Sequence, residues 1–178
     1  GCTNPEACNY NSDATEDDGS CEFASCDGTL LVPSGYSTIQ EALNVAVEGD
    51  SILVSAGIYY ENIIWPATNG IKLIGAHQET TTIDGNQLAS VIRFEEDLGG
   101  IIDSTTLITG FTIQNGLDDI GGGMYLLESS PTLTGVTFSN NTAGDFGGGM
   151  YLWDSNPTLT GVTFSGNTSY FSGGGGMY

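Results

Sequence analysis

The chain has 178 residues, 22 of them acidic and 2 basic, giving a formal net charge of -20. That charge excludes nucleic acid as a partner and opposes docking on anionic membranes, while it favours solubility, divalent cations and a salty exterior. The length suits one domain with a sizeable core plus a small appendage, and no apolar run approaches the ~20 residues needed to span a membrane.

Residues 1–28 contain all four cysteines, Cys2, Cys8, Cys21 and Cys26, together with seven acids and no base. Such crowding predicts a small disulfide-stapled module from an oxidising compartment. Zinc is the competing reading, but the spacings of 6, 13 and 5 contain no Cys-x-x-Cys pair, and the single histidine, His77, is distant. Four cysteines allow three connectivities, and the spacing does not choose among them. Asp13, Glu16, Asp17 and Asp18, in a run that ends at Gly19, predict a weak calcium site. The run lacks the strict alternation of an EF-hand loop, and a solvated acidic turn is the alternative. With Gly1 directly before the first cysteine, the opening reads as that of a mature or excised segment.

Residues 29–50 read as a linker and capping helix. Ser37-Thr38-Ile39-Gln40 predicts a capping box, and Ile39, Ala42, Leu43 and Ala46 follow the i, i+3, i+4, i+7 spacing of a short amphipathic helix. Its predicted use is to cover the open edge of a stack of strands.

From Ser51 to Tyr178 the pattern is that of strands. Ser51–Val54, Ile71–Ile74, Thr82-Ile83 and Val91–Phe94 are short β-rich runs, separated by turns at Asn69-Gly70, Asp84-Gly85 and Asn115-Gly116. Between Gly75 and Gly110 lie 35 positions, so the acidic stretch Glu95–Gly100 is predicted to project as a loop. Lys72 and Arg93 read as solvated outward positions, and Asp118-Asp119 as a solvated turn. Adjacent loop carboxylates seldom span the ~5–10 Å across a sugar that a glycosidase requires.

The sequence PTLTGVTFS then occurs twice without change, at 131–139 and 157–165. Each copy follows a glycine run ending in Met-Tyr-Leu, and Met124, Met150 and Met177 are 26 and 27 positions apart. A looser copy, Ile108 to Ile113, lies 25 positions upstream of Leu133 to Phe138. Self-similarity at this period, in units too short for a propeller blade and without helices, predicts a parallel β-helix of about five coils of 25–27 residues, whose right hand is implied by the resemblance given below. Leu133, Val136 and Phe138 would face inward, stacked on Ile108, Phe111 and Ile113 and under Leu159, Val162 and Phe164. Thr112, Thr137 and Thr163 would form an outward ladder, as would Tyr125, Tyr151 and Tyr178. Asn115 and Asn140 would stack at a corner, and the glycine runs would be turns. Asn140 and Asn167 also sit in N-glycosylation patterns. The stack is expected to stop in mid-coil, so that further coils or self-association would complete its C-terminal end.

Two resemblances follow from these residues. Ile39-Gln40-Glu41-Ala42-Leu43, Gly49-Asp50-Ser51-Ile52 and Gly57-Ile58-Tyr59 resemble the entry coil of the pectin-lyase-like, right-handed parallel β-helix superfamily. The GGGMY and PTLTGVTFSNN units are similar to repeats of polymorphic outer-membrane-type surface proteins and bacterial β-helix adhesins. The first 26 residues resemble a short Cys-rich module of very large bacterial proteins exported by type IX secretion. That resemblance implies a secreted or cell-surface polypeptide and suggests pairing Cys2 with Cys21 and Cys8 with Cys26. Enzymes of the superfamily act mainly on polyuronates, with clustered aspartates and a Gly-His-Gly, or with a calcium cluster and a basic residue. Neither pattern occurs here. The expectation is an extracellular structural or adhesive segment without catalysis, stabilised by calcium, that binds a glycan or surface ligand through Tyr125, Tyr151 and Trp153. The alternative is a fragment of a carbohydrate-active β-helix enzyme or a glycan-binding module.

Overall fold

The computed structural model describes residues 1–5, 10–19, 28–95, 102–171 and 173–178. Among these, equivalent strands of successive coils pair in parallel and build four ladders. The first face stacks Thr29–Val32, Ser51–Val54, Lys72–Gly75, Leu107–Thr109, Thr132–Thr134 and Thr158–Thr160. The second stacks Gly57–Tyr60, Thr81–Asp84, Thr112–Gln114, Thr137–Ser139 and Thr163–Ser165. Ile63–Ile64, Ile92–Phe94, Met124–Leu127 and Met150–Trp153 form the third face. A shorter fourth ladder holds Leu117–Ile120, Thr142–Phe146 and Thr168–Ser169. The fold is a parallel β-helix of about five coils, in which the other strands of each coil serve as the crossover that parallel pairing demands.

The predicted columns are present in register. Leu133 pairs with Ile108 and Leu159, and Phe138 with Ile113 and Phe164. Leu133, Val136, Phe138, Ile108, Phe111 and Ile113 are all fully buried. The rings of Phe138 and Phe164 stack with centroids 5.0 Å apart, close to the ~4.8 Å separation of neighbouring strands. Thr112, Thr137 and Thr163 form the outward ladder. Between the first and second faces the chain turns at Gly110, Gly135 and Gly161, whose φ angles of +77°, +57° and +60° favour glycine. The glycine runs are turns, and packing requires them: a Cβ on Gly122 would lie 2.2 Å from the Thr142 carbonyl oxygen of the next coil.

Four expectations are corrected. The solenoid already includes Thr29–Val32, ahead of the expected start at Ser51, because that strand pairs in register with Ser51–Val54 inside the stretch read as a linker. Coil length is also less uniform: first-face strands start 22, 21, 35, 25 and 26 residues apart. The longest interval contains the expected acidic loop, Glu95–Gly100, of which residues 96–100 lie outside the described residues. The helix, Ile39–Val45, buries Ile39, Ala42 and Leu43 as predicted, but its capping box is Thr38 with Glu41, one position later than read. Glu61, 22 residues away, accepts the N–H groups of Ile39 and Gln40 at 2.9 Å each, so donors otherwise left free at the helix start are satisfied across the fold.

The fourth correction concerns asparagine. Asn115 and Asn140 do occupy corners, each with φ +55°, and Asn115 donates to Asp84 of the preceding coil at 2.8 Å, but the asparagine-to-asparagine ladder belongs to the next position. Asn141 is fully buried, accepts the Gly116 N–H at 2.9 Å and donates to the Ile113 carbonyl and the Asn167 side chain at 3.0 Å each. Asn167 in turn donates to the Phe138 carbonyl. One of the two residues in a glycosylation pattern is therefore part of the internal ladder.

Candidate functional site

The third face carries the side chains predicted to bind. Its first outward column runs Ile64, Arg93, Tyr125, Tyr151 and its second runs through Leu127 and Trp153. Tyr178 continues the first column by stacking on Tyr151, with centroids 5.8 Å apart and planes 4° from parallel. Tyr125 and Tyr151 stack likewise at 5.6 Å and 2°. The ring planes thus lie across the solenoid axis and cover one another. Arg93 covers the other side of Tyr125, its Cζ 4.7 Å from the ring centroid.

This geometry changes what the stripe can do. Tyr151 is only 7% exposed, enclosed by Tyr125, Tyr178 and Phe146, so it is not the open stacking surface expected of it. Trp153 is 58% exposed and Tyr178 53%, and these two present ring surface to solvent. A sugar or protein ligand meets tyrosine edges along the column and a free indole beside it.

Arg93, expected to be solvated, is instead the centre of a polar cluster. It bonds Glu95 and reaches an Asp118 oxygen at 2.8 Å. The same Asp118 oxygen accepts the Ser90 N–H at 3.1 Å and its hydroxyl at 3.0 Å, while the other accepts the Asp119 N–H at 2.8 Å. Asp118 is therefore a strand residue with both oxygens engaged, not a solvated turn. These bonds fix the Asp118 carboxylate in place as the anchor for Arg93. One signal was legible in retrospect: Arg93 is one of only two cations among 22 acids, so an acidic partner is readily at hand.

Asp84, on the second face, is the buried carboxylate among the described residues. Burial pushes its carboxyl up, but hydrogen bonds from Gln114, the Asn86 backbone and Asn115 together outweigh burial and hold it below its ordinary range. Lys72 is exposed, as read.

The cysteine module is described in part. Cys2 is buried at 1% exposure and is not a free thiol, whereas Cys8, Cys21 and Cys26 lie outside the described residues. Asp13, Glu16, Asp17 and Asp18 are all exposed. Asp17 accepts the Gly19 N–H at 3.0 Å, and Asp18 pairs with the Gly1 amine at 3.0 Å. Among the described residues no three acids, histidines or cysteines converge, so the four carboxylates do not form a preassembled cage.

In comparison with known proteins, the chain matches no family model, no curated protein and no solved structure. No helix of the described residues is long and apolar enough to cross a membrane.

Proposed function

We propose that the chain is a secreted or cell-surface structural module of a bacterial protein, adhesive rather than catalytic, in which a stapled acidic segment precedes a rigid β-helix. The observation that carries this reading is the saturation of the Arg93 cluster. Arg93, the cation of the third face, is held by Glu95 and Asp118, and both Asp118 oxygens are engaged in further bonds. The sequence resemblance to pectin-lyase-like coils and to surface-protein repeats supports the same assignment, as does the resemblance of the first 26 residues to modules of type IX-exported proteins. On this reading Cys2 pairs with Cys21 and Cys8 with Cys26. Calcium enters only as a weak ligand that must itself gather the exposed carboxylates Asp13, Glu16, Asp17 and Asp18, hence in the range of roughly 10⁻⁴ to 10⁻³ M.

Ligand contact falls to Trp153 and the edges of Tyr125 and Tyr178, with a glycan as the class that an exposed indole next to tyrosine hydroxyls suits. A glycan array with and without calcium, run beside a polyuronate depolymerisation assay, tests the proposal. Binding without turnover, weakened about tenfold or more by Trp153→Ala, is expected. Turnover of a polyuronate would overturn the non-catalytic reading in favour of the enzyme alternative.

A further inference from the structure

We propose that the cleft between the helix Ile39–Val45 and the strand Ile63–Ile64 binds a neutral sugar through Asn44, Asn62 and Trp65. The cleft encloses about 520 Å³, within the ~300–1,000 Å³ of small-molecule sites, and is lined by Gln40, Asn44, Asn62, Ile64, Trp65 and Pro66. Ile63–Ile64 and Met150–Trp153 stand at opposite ends of the third-face ladder, so this site is separate from the glycan contact proposed at Trp153.

The walls of the cleft are fixed by bonds within the fold. Gln40 bridges helix and strand: its Oε1 accepts the Ile64 N–H at 2.8 Å, and its Nε2 donates to the Ile64 carbonyl at 3.0 Å and to Asn44 Oδ1 at 2.9 Å. Asn62 Nδ2 donates to the carbonyls of Gly85 and Ala89 at 3.2 Å each and of Ser90 at 3.1 Å. Glu61, beside Asn62 in sequence, has both oxygens on helix N–H groups, and among the described residues no charged side chain lines the cleft.

Three polar groups are left over. Trp65 is 1% exposed, and its indole Nε1 donor, closed to bulk water, has no partner. Among the described residues Asn44 Nδ2 and Asn62 Oδ1 have none either. An orphaned buried donor is costly, and native structures seldom keep one without a water or ligand group to serve it. The set comprises two donors and one acceptor. A hydroxyl both donates and accepts, so neighbouring hydroxyls on one sugar ring answer all three groups, directly or through a bridging water. A carboxylate has no proton to give Asn62 Oδ1 and is repelled by a chain at -20. Ile64, 47% exposed, and Pro66 supply the apolar contact that the C–H face of a sugar needs.

The Trp153→Ala variant tests this, because it removes the indole assigned to glycan contact and leaves Trp65 as the only tryptophan. It is titrated with cellobiose, maltose, lactose and N,N′-diacetylchitobiose, and with digalacturonate as the anionic counterpart, followed by Trp65 emission and by ligand-observed NMR. Saturable binding of at least one neutral disaccharide with a change in Trp65 emission is expected, and digalacturonate should bind at least about tenfold more weakly. Asn44→Ala in the same background alters an exposed side chain and should weaken binding at least about threefold, the loss of one hydrogen bond, at an unchanged melting temperature. No binding of any neutral disaccharide, equal binding of digalacturonate, or binding that Asn44→Ala leaves intact would each overturn the proposal. With Trp153 absent from the test, the result is independent of the glycan contact proposed there.

Discussion

Asn141 shows how one polar side chain can join three coils of this fold. Its oxygen receives the Gly116 N–H, and its nitrogen serves the Ile113 carbonyl and Asn167. Asn141→Leu keeps the branched shape but strands a buried donor and acceptor, and should cost about 2–5 kcal/mol in urea denaturation, at ~1–3 kcal/mol per orphaned group. Asn140→Gly, one residue earlier at an exposed corner with φ +55°, should be close to neutral. Asp84 gives a pH signature with a definite sign. Its folded carboxyl titrates below the ordinary 3.8, so its stabilisation is complete above that value and is lost as pH falls further. Asp84→Asn should therefore flatten the dependence of melting temperature on pH below about pH 4 and leave the dependence between pH 6 and 8 unchanged. The two asparagines also mark a limit of sequence reading. Asn140 and Asn141 are neighbours of equal chemistry, and only the left-handed corner at Asn140 decides that the next side chain points inward.

At the scale of elements, the helix was legible because its buried side chains recur at helical spacing. Its start was not, since Ser37 and Thr38 both cap well and the choice falls on the one with Glu41 three residues later. Glu61 could not be read at all, because its contact with the helix arises only when the chain has completed most of a coil. A helix of seven residues is too short to persist alone and depends on these end contacts and on burial. Glu61→Ala should accordingly cost about 1–2 kcal/mol, comparable to losing an N-cap, as measured by chemical denaturation. Urea slopes that stay constant while the midpoint falls would show that the helix is lost with the whole solenoid rather than fraying first. The third-face column teaches a related lesson. Alternation correctly placed Tyr125, Tyr151 and Tyr178 outward, but ring orientation depends on the neighbouring coils, and the rings turn their faces to one another.

For the whole molecule, the repeat was the most legible feature because each residue packs on its equivalent one coil away. A period in sequence therefore becomes an axis in space. The early coils were read less well, since intervals of 22, 21 and 35 residues conceal the same stacking under unequal turns. Arg93 was misread for that reason: its partner Asp118 arrives a coil later, on a different ladder. A formal charge of -20 also opposes compaction, and salt should raise the melting temperature by screening it. Thermal melts in dilute buffer and in high salt check this, with no rise as the contrary result.

The inward and outward columns of the repeated coil are the central claim, and adjacent substitutions test it most directly. Val136 is fully buried between Phe111 and Val162, while its neighbour Thr137 stands in the outward threonine ladder. Thermal or urea melts of Val136→Asp and Thr137→Asp, followed by circular dichroism, should show a loss of about 4 kcal/mol or more for the first and under about 1 kcal/mol for the second. Equal losses for the two variants would contradict the register of the β-helix and the account built on it.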